Sequence, residues 1–445
     1  MSVKRDSFSG KFGIIAAAAG SAIGLGNIWR FPYVCGQNGG AAFLILYLAC
    51  IIVIGLPVML AEFSIGRKSQ SNAYRAFRKL SPGTKWYSIG VMGIVAAFVI
   101  LSFYSAVGGW TIEYIYRSVA GTISDHPKEQ FNSFISGSFK PIFYQFIFLM
   151  LTFAIVMMGV KKGIERSSKI LMPLLLVLLI VLCIRSVTLP GASEGLSFLL
   201  KPDFSKLTGN SVLLAMGQAF FSLSLGMGCL ITYGSYVKRS ENLTYVAGMI
   251  AGADTLIAIL AGIAIFPAAA AFGIEPGSGE GLVFITLPGV FKQMAGGMIF
   301  SFCFFVLLCI AALTSAMSLL EVVVSYCVEE LKLKRVWATL WVTLCVFVLG
   351  VFCSLSLGIV PGLQLFGKSF FSLMDFSASN ILLPAGGFFI AIYAGWVLKK
   401  RITVKELTND GNRKINYLRI FFFLIRYVVP VAILIVFISG LIPSD

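Results

Sequence analysis

Two short segments inside long apolar stretches combine glycines with residues that could bind ions. Residues 20–32 read GSAIGLGNIWRFP, and residues 218–228 read QAFFSLSLGMG. Each glycine weakens a helix by about 1 kcal/mol relative to alanine, so both segments are predicted to interrupt a helix. An interrupted helix points free N–H groups one way and free carbonyls the other. The pattern therefore indicates an anion site beside a cation site.

Polar side chains within the apolar stretches supply further oxygen ligands, which alkali cations prefer: Asn27, Ser222, Asp254, Thr314 and Ser315. Thr314 and Ser315 have an alternative explanation, because such hydroxyls often bond back to their own helix. Asp254 is harder to explain structurally, since a mid-membrane carboxylate costs about 2.5–3.5 kcal/mol. We therefore predict a functional role for Asp254.

The glycines also have an alternative explanation, because Gly20 and Gly24 fit the small-xxx-small pattern of close helix packing. Two matched interruptions, each accompanied by polar residues, favour the functional interpretation. Further charged residues lie in or near apolar stretches, and we expect about half of them to be structural: Glu62, Glu113, Glu321, Asp375 and Arg426.

The elements that must position these residues are membrane spans. The chain has 445 residues, of which 58% are hydrophobic and only 12% charged. Apolar windows of roughly twenty residues are long enough to cross the hydrocarbon core. We predict eleven spans, near residues 11–36, 41–67, 87–117, 141–160, 168–187, 212–237, 243–273, 296–328, 335–356, 363–398 and 417–440.

The placement of charge predicts orientation in the lipid bilayer and argues against nucleic acid as the reason for the net charge of +16. Basic clusters fall in alternate loops, at Lys4, Arg5 and Lys11, 67–85, 161–169, 238–239, 332–335 and 399–405. The other loops carry more acidic residues, including Asp125, Glu194, Glu275 and Glu280. By the positive-inside rule the N-terminus is cytoplasmic, and an odd number of spans puts the C-terminus outside.

The two interruptions lie about 200 residues apart, and five spans begin with each. Because five is odd, the second half must insert in the opposite orientation. We predict an all-α, polytopic membrane protein with a single domain over 1–445, in which helices 1 and 6 are broken. Its inverted repeats span about 10–187 and 212–398, and a peripheral helix spans about 417–440.

Other chemistries find little support in the sequence. The nine cysteines are scattered, and His126 is the only histidine, which argues against a histidine metal site or catalytic dyad. Residues 362–369 match the phosphate-loop pattern GxxxxGKS, but they join two predicted spans on the outside, so we expect no ATP binding. A cleaved signal peptide at the N-terminus is a disfavoured alternative.

The chain resembles the neurotransmitter:sodium symporter family, in particular its bacterial amino-acid transporters with eleven spans. The resemblance rests on residues 20–32 and 218–228, with NGGAAF at 38–43, EFSIG at 62–66, FITLP at 284–288 and ALTS at 312–315. It implies a symporter of the bacterial cytoplasmic (inner) membrane that imports hydrophobic L-amino acids by alternating access. It also implies two sodium ions and no organic cofactor.

The resemblance further implies roles for individual residues. The substrate would contact Ser21, Ala22, Leu25, Gly26, Ile100, Tyr104, Phe221, Ser222, Ser224, Met227, Ser315 and Leu319. One sodium ion would bind Ala22, Asn27, Ser222 and Asp254, and the other Gly20, Ile23, Ala311, Thr314 and Ser315. Arg30 and Asp375 would form the outer gate, and Arg5 and Glu329 the inner one. Glu62 would support the broken sixth helix.

Three departures from the leucine-transporter pattern bear on specificity. Ser21 replaces an asparagine and Met227 a phenylalanine, which makes the pocket more adaptable. Ala258 stands where an acidic residue is common, so Asp254 is the remaining counter-charge, and transport is predicted to be independent of chloride. There are two competing hypotheses. The first is a membrane sensor that binds an amino acid, for which the sequence lacks a signalling extension. The second is an intramembrane enzyme, for which the sequence lacks a catalytic constellation.

Overall fold

A computed structural model describes residues 6–273, 281–358, 360, 364–365 and 367–441. Over these residues the chain is helical apart from one short hairpin, in which β1 (Gln364–Leu365) pairs with β2 (Lys368–Ser369). Several residues named above lie outside this description, namely Lys4, Arg5, Glu275, Glu280, Gly362, Leu363 and Phe366.

The first half of the chain contains nine helices. In order they are α1 (Lys11–Ala22), α2 (Gly26–Gln37), α3 (Ala41–Ser69), α4 (Ala73–Leu80), α5 (Tyr87–Ala120), α6 (Pro127–Ile135), α7 (Phe139–Met157), α8 (Val160–Val187) and α9 (Ala192–Leu200). A short 3-10 turn follows at Phe204–Lys206.

The second half repeats the pattern of long apolar helices. In order they are α10 (Gly209–Ser222), α11 (Cys229–Gly234), α12 (Leu243–Ala271), α13 (Leu282–Gln293), α14 (Gly297–Glu329), α15 (Arg335–Leu355), α16 (Phe370–Val397), α17 (Lys400–Leu407) and α18 (Leu418–Leu441).

The predicted fold class is confirmed: the molecule is an all-α, polytopic membrane protein. Within the described residues, nine continuous helices are long and apolar enough to cross a membrane, and α1 with α2 forms a further span bent by 54°. Helices α10 and α11 occupy the sixth predicted span, where residues 223–228 separate them.

Two predicted boundaries were wrong by more than a few residues. Helix α16 begins at Phe370 rather than near 363, because the hairpin precedes it, and α8 begins at Val160 rather than near 168. For α16 the apolar pattern runs across a change of backbone conformation, whereas α8 begins with a charged segment, VKKGIERS at 160–167, that precedes its apolar stretch. The boundaries of the two repeats stay a prediction.

A buried ion pair fixes helix α17 to the end of α3. Arg67 Nε lies 2.7 Å from Glu406 Oε2, and only 1% of the Arg67 side chain is exposed. The guanidinium also donates to the backbone carbonyls of Glu241 and Glu406. One arginine therefore joins three segments that are distant in the sequence.

Arg67→Met should leave Glu406 buried without its partner, which costs about 3–5 kcal/mol in comparable ion pairs. We expect the midpoint of thermal unfolding of the detergent-solubilised protein to fall by several degrees. The matched control is Arg78→Met, since Arg78 is exposed and its guanidinium donates to the Tyr74 hydroxyl one turn away. A midpoint for Arg67→Met equal to that of the control would contradict this role.

Candidate functional site

The second interruption depends on backbone conformations that favour glycine. Between α10 and α11, Ser224 (φ 54°), Gly226 (φ 80°) and Gly228 (φ 75°) adopt left-handed conformations that end the helix. Glu62 Oε1 accepts a hydrogen bond from the freed Gly226 N–H at 2.8 Å. A buried carboxylate on α3 thus replaces a backbone partner that the broken helix cannot supply.

The first interruption is held by side chains from α5, from α10 and from the second interruption. Tyr104 Oη accepts from Leu25 N at 3.3 Å, Ser224 Oγ donates to the Ser21 carbonyl at 2.8 Å, and Gln218 Nε2 donates to the Gly26 carbonyl at 3.0 Å. Irregular backbone at membrane depth persists only when such groups are satisfied within the protein. The two interruptions therefore pack directly against each other.

A central cavity lies where the two interruptions meet. It is lined by Ser21, Ala22, Gly24, Leu25, Gly26, Ile100, Tyr104, Phe221, Ser222, Ser224, Met227, Ser315, Ser318 and Leu319. This set includes all twelve residues predicted to contact the substrate and adds Gly24 and Ser318, which the sequence interpretation missed. No lining side chain carries a charge.

Gly24 allows a close approach at this point. A Cβ atom on Gly24 would lie 2.5 Å from Ser315 Oγ and 3.0 Å from Tyr104 Oη. The glycines of residues 20–32 therefore allow close packing and also accompany the break in the helix. Close helix packing and helix interruption, the two explanations of these glycines, are thus compatible. Any side chain at Gly24 must displace a hydroxyl that faces the cavity.

Beside the cavity, Asp254 accepts hydrogen bonds from three buried side chains. The donors are Asn27 Nδ2 at 2.7 Å, Ser222 Oγ at 2.8 Å and Tyr47 Oη at 3.1 Å. Asn27, Ser222 and Asp254 were predicted to belong to one site, and the fold brings them together from three helices, α2, α10 and α12. Ala22, predicted with them, lines the adjoining cavity.

Tyr47 was missed by the sequence interpretation. Its hydroxyl contacts both Ser222 and Asp254, and the residue is fully buried in α3. Tyrosine is usual at the ends of spans, where its hydroxyl reaches water. A tyrosine near the beginning of α3 fits that pattern, so its position in the sequence does not indicate that its hydroxyl points inward.

A second group of oxygens lies on the opposite side of the first interruption. Ser315 Oγ is 3.4 Å from the Gly20 carbonyl, 3.3 Å from the Ser21 carbonyl and 3.4 Å from the Ile23 carbonyl. Thr314 Oγ1 donates to the carbonyl of Ala311 and to that of Ile310, each at 3.1 Å, and the bond to Ile310 is the local one weighed as an alternative. The five residues predicted for a second ion are therefore neighbours.

Arg30 and Asp375, the predicted outer gate, lie near the cavity, but their side chains form no direct ion pair with each other. The Arg30 guanidinium stacks over the Phe221 ring at 5.0 Å and attracts Asp375 electrostatically. The carboxylate of Asp375 accepts a hydrogen bond from Ser379 at 3.1 Å. This arrangement places the Arg30 guanidinium over an aromatic ring that lines the cavity.

At the other end of the molecule, Glu329 accepts hydrogen bonds from Asn72 N and Nδ2, each at 3.0 Å. Its predicted partner Arg5 lies outside the described residues. The neighbouring Glu330 pairs with Arg75 at 2.7 Å. Burial raises the pKa of Glu330, but the contacts with Arg75 and Asn72 outweigh it and lower the pKa overall.

Two of the remaining intramembrane acids form ion pairs. Glu113 lies 2.6 Å from Arg117 one turn away, and Glu321 pairs with Arg335 while accepting from Tyr236 Oη at 2.7 Å. These contacts agree with the expectation that about half of the charged residues in or near the spans are structural.

Two interrupted membrane helices that enclose an uncharged cavity, with converging oxygens beside it, define an ion-dependent transporter. The sequence matches the "Sodium:neurotransmitter symporter family" over residues 5–134 and 136–444. The chain belongs to this family of sodium-dependent transporters and is not an enzyme.

Known relatives agree with this assignment. The chain is 41% identical to an uncharacterised sodium-dependent transporter of Bacillus subtilis, covering 97% of both chains. It is 40% identical to an uncharacterised sodium-dependent transporter of Haemophilus influenzae, covering 98% of both. Among solved structures, MhsT in complex with L-phenylalanine superposes with a TM-score of 0.90 at 46% identity, covering 98% of this chain and all of the other.

Proposed function

We propose that the protein is a sodium-coupled symporter that imports hydrophobic L-amino acids across a bacterial cytoplasmic membrane by alternating access. Its N-terminus would be cytoplasmic and its C-terminus outside. The observation that carries the substrate class is the cavity between the interruptions, which offers backbone polar groups but no charged side chain. The bound L-phenylalanine in the related MhsT structure supports the same class.

The geometry supports a role for each end of the substrate. The amide groups of Leu25 and Gly26 and the Tyr104 hydroxyl would bind the carboxylate, because these N–H groups begin α2 and favour an anion. Carbonyls near Ala22 and Phe221 would accept from the amino group. The apolar side chain would then contact Ile100, Phe221, Met227 and Leu319, which line the same cavity.

Two sodium ions would bind beside the substrate. One would bind Asn27, Ser222, Asp254 and the Ala22 carbonyl, with the substrate carboxylate completing its ligands. The other would bind the carbonyls of Gly20, Ile23 and Ala311 with the hydroxyls of Thr314 and Ser315. Because coupling between sites is reciprocal, each ligand would tighten the binding of the other.

The test is uptake into sealed proteoliposomes with an inward sodium gradient. We expect accumulation of labelled phenylalanine, with leucine and tryptophan competing at least 100-fold better than lysine or glutamate, because a charged side chain would be desolvated without a partner. Replacing sodium with potassium should abolish uptake. Lysine or glutamate as the best competitor, or equal uptake in potassium, would refute the proposal. Binding without accumulation would favour the sensor hypothesis.

A further inference from the structure

Arg426 is a charged residue inside a membrane span. It lies in the third turn of α18, and its Nε donates to the Gly395 carbonyl at 2.7 Å. Among the described residues, no acidic side chain forms an ion pair with it. An intramembrane charge of this kind indicates a functional site by default.

A second cation lies beside Arg426. Lys400 Nζ is 5.0 Å from the centroid of the Phe422 ring, and Arg426 Cζ is 5.8 Å from the same centroid. Two positive charges therefore share one buried ring, and within the described residues neither has an acidic partner. Two like charges in contact with one ring repel each other, and an anion able to contact both would stabilise the arrangement.

Exposed aromatic residues surround the two cations. The Trp396 ring, 57% exposed, lies 5.5 Å from that of Tyr427, 51% exposed, and the Arg426 guanidinium is 5.8 Å from the Trp396 ring. Trp396 is one residue from the end of α16. Exposed tryptophan and tyrosine at the end of a span mark the headgroup level of the membrane.

The segment 399–419, which contains α17 and the first residues of α18, is strongly basic. Its basic residues are Lys399, Lys400, Arg401, Lys405, Arg413, Lys414 and Arg419. One of its two acidic residues, Glu406, is buried against Arg67, so its charge is already paired. Basic clusters immediately beside a membrane span attract anionic lipid headgroups.

We propose that Lys400 and Arg426 bind the phosphate of an anionic phospholipid, such as phosphatidylglycerol, at the end of α16 and the beginning of α18. The acyl chains would lie along the exposed face that includes Phe423 and Tyr427. The long arginine side chain can reach the headgroup from within the span. This site rests on the placement of the helices in the membrane and not on the proposed substrate.

The test is a lipid titration of the delipidated full-length protein in detergent, followed by native mass spectrometry without sodium or amino acid. We expect palmitoyl-oleoyl phosphatidylglycerol to bind more tightly than the corresponding phosphatidylcholine. Each basic residue that contacts a lipid headgroup at the membrane surface is worth about fivefold in affinity, so K400Q/R426Q should weaken phosphatidylglycerol binding on the order of 10- to 30-fold. The charge-matched control R413Q/K414Q removes two exposed basic residues of the same segment and should change binding less than twofold.

K400Q alone should lower the affinity about fivefold, which keeps the proposal testable if Arg426 variants fold poorly. The proposal is overturned if the control loses as much affinity as K400Q/R426Q, or if K400Q and K400Q/R426Q leave binding unchanged. Equal affinity for phosphatidylcholine, or displacement of the lipid by millimolar inorganic phosphate, would also overturn it. Because the measurement needs no transport, it fails or succeeds independently of the proposed function.

Discussion

Asp254→Asn is expected to lower sodium-driven uptake at least 100-fold. The carboxylate accepts hydrogen bonds from Asn27, Ser222 and Tyr47, and it is the only acidic side chain in this group. An asparagine would remove the negative charge and place an NH2 group among donors. Removing one charge from a buried, paired arrangement costs about 3–5 kcal/mol, which corresponds to 100-fold or more in affinity.

Chloride dependence distinguishes a counter-charge from a merely structural acid. Replacing chloride with gluconate should leave wild-type uptake unchanged, because Asp254 would supply the negative charge beside the proposed sodium ions. In Asp254→Asn, added chloride should restore part of the uptake. The control is Asp203→Asn, which changes an exposed loop carboxylate and should transport normally. Loss of wild-type uptake in gluconate would contradict the assignment.

The broken helices could be predicted because their cause is local. Glycines at 20, 24 and 26 and again at 226 and 228 weaken the helix at the positions where the structure interrupts it. The charge of Asp254 was likewise visible, since an acid within an apolar span is costly wherever the chain folds. The identity of the cavity residues came from the family resemblance and not from composition or periodicity.

Contacts between distant segments could not be predicted in this way. Tyr47 reaches Asp254 across 207 positions, and Arg67 reaches Glu406 across 339. Neither pair has a sequence spacing that indicates contact, because only the packing of α3 against other helices brings them together. The beginnings of α8 and α16 were missed for different reasons. Helix α8 starts in a charged segment, 160–167, that an apolar window excludes, and the apolar pattern before α16 does not register the change from hairpin to helix.

Gly24→Ala should raise the sodium concentration for half-maximal uptake at least tenfold. The new Cβ would lie 2.5 Å from Ser315 Oγ, a distance that requires the hydroxyl to move. In moving, Ser315 would leave the carbonyls of Gly20 and Ile23, with which it forms the second group of oxygens. A sodium ion that depends on this group would lose a ligand and bind more weakly.

The matched control is Gly252→Ala, because Gly252 lies within the membrane helix α12 and a Cβ there meets no atom within 4 Å. Gly252→Ala makes the same change of residue within a membrane helix without a clash, so a general effect of exchanging glycine for alanine would appear in both variants. Sodium binding to purified protein, measured with radioactive sodium, separates weaker ion binding from a slower transport cycle. Unchanged sodium affinity in Gly24→Ala would mean that Ser315 does not bind the ion, and the second sodium site would have to lie elsewhere.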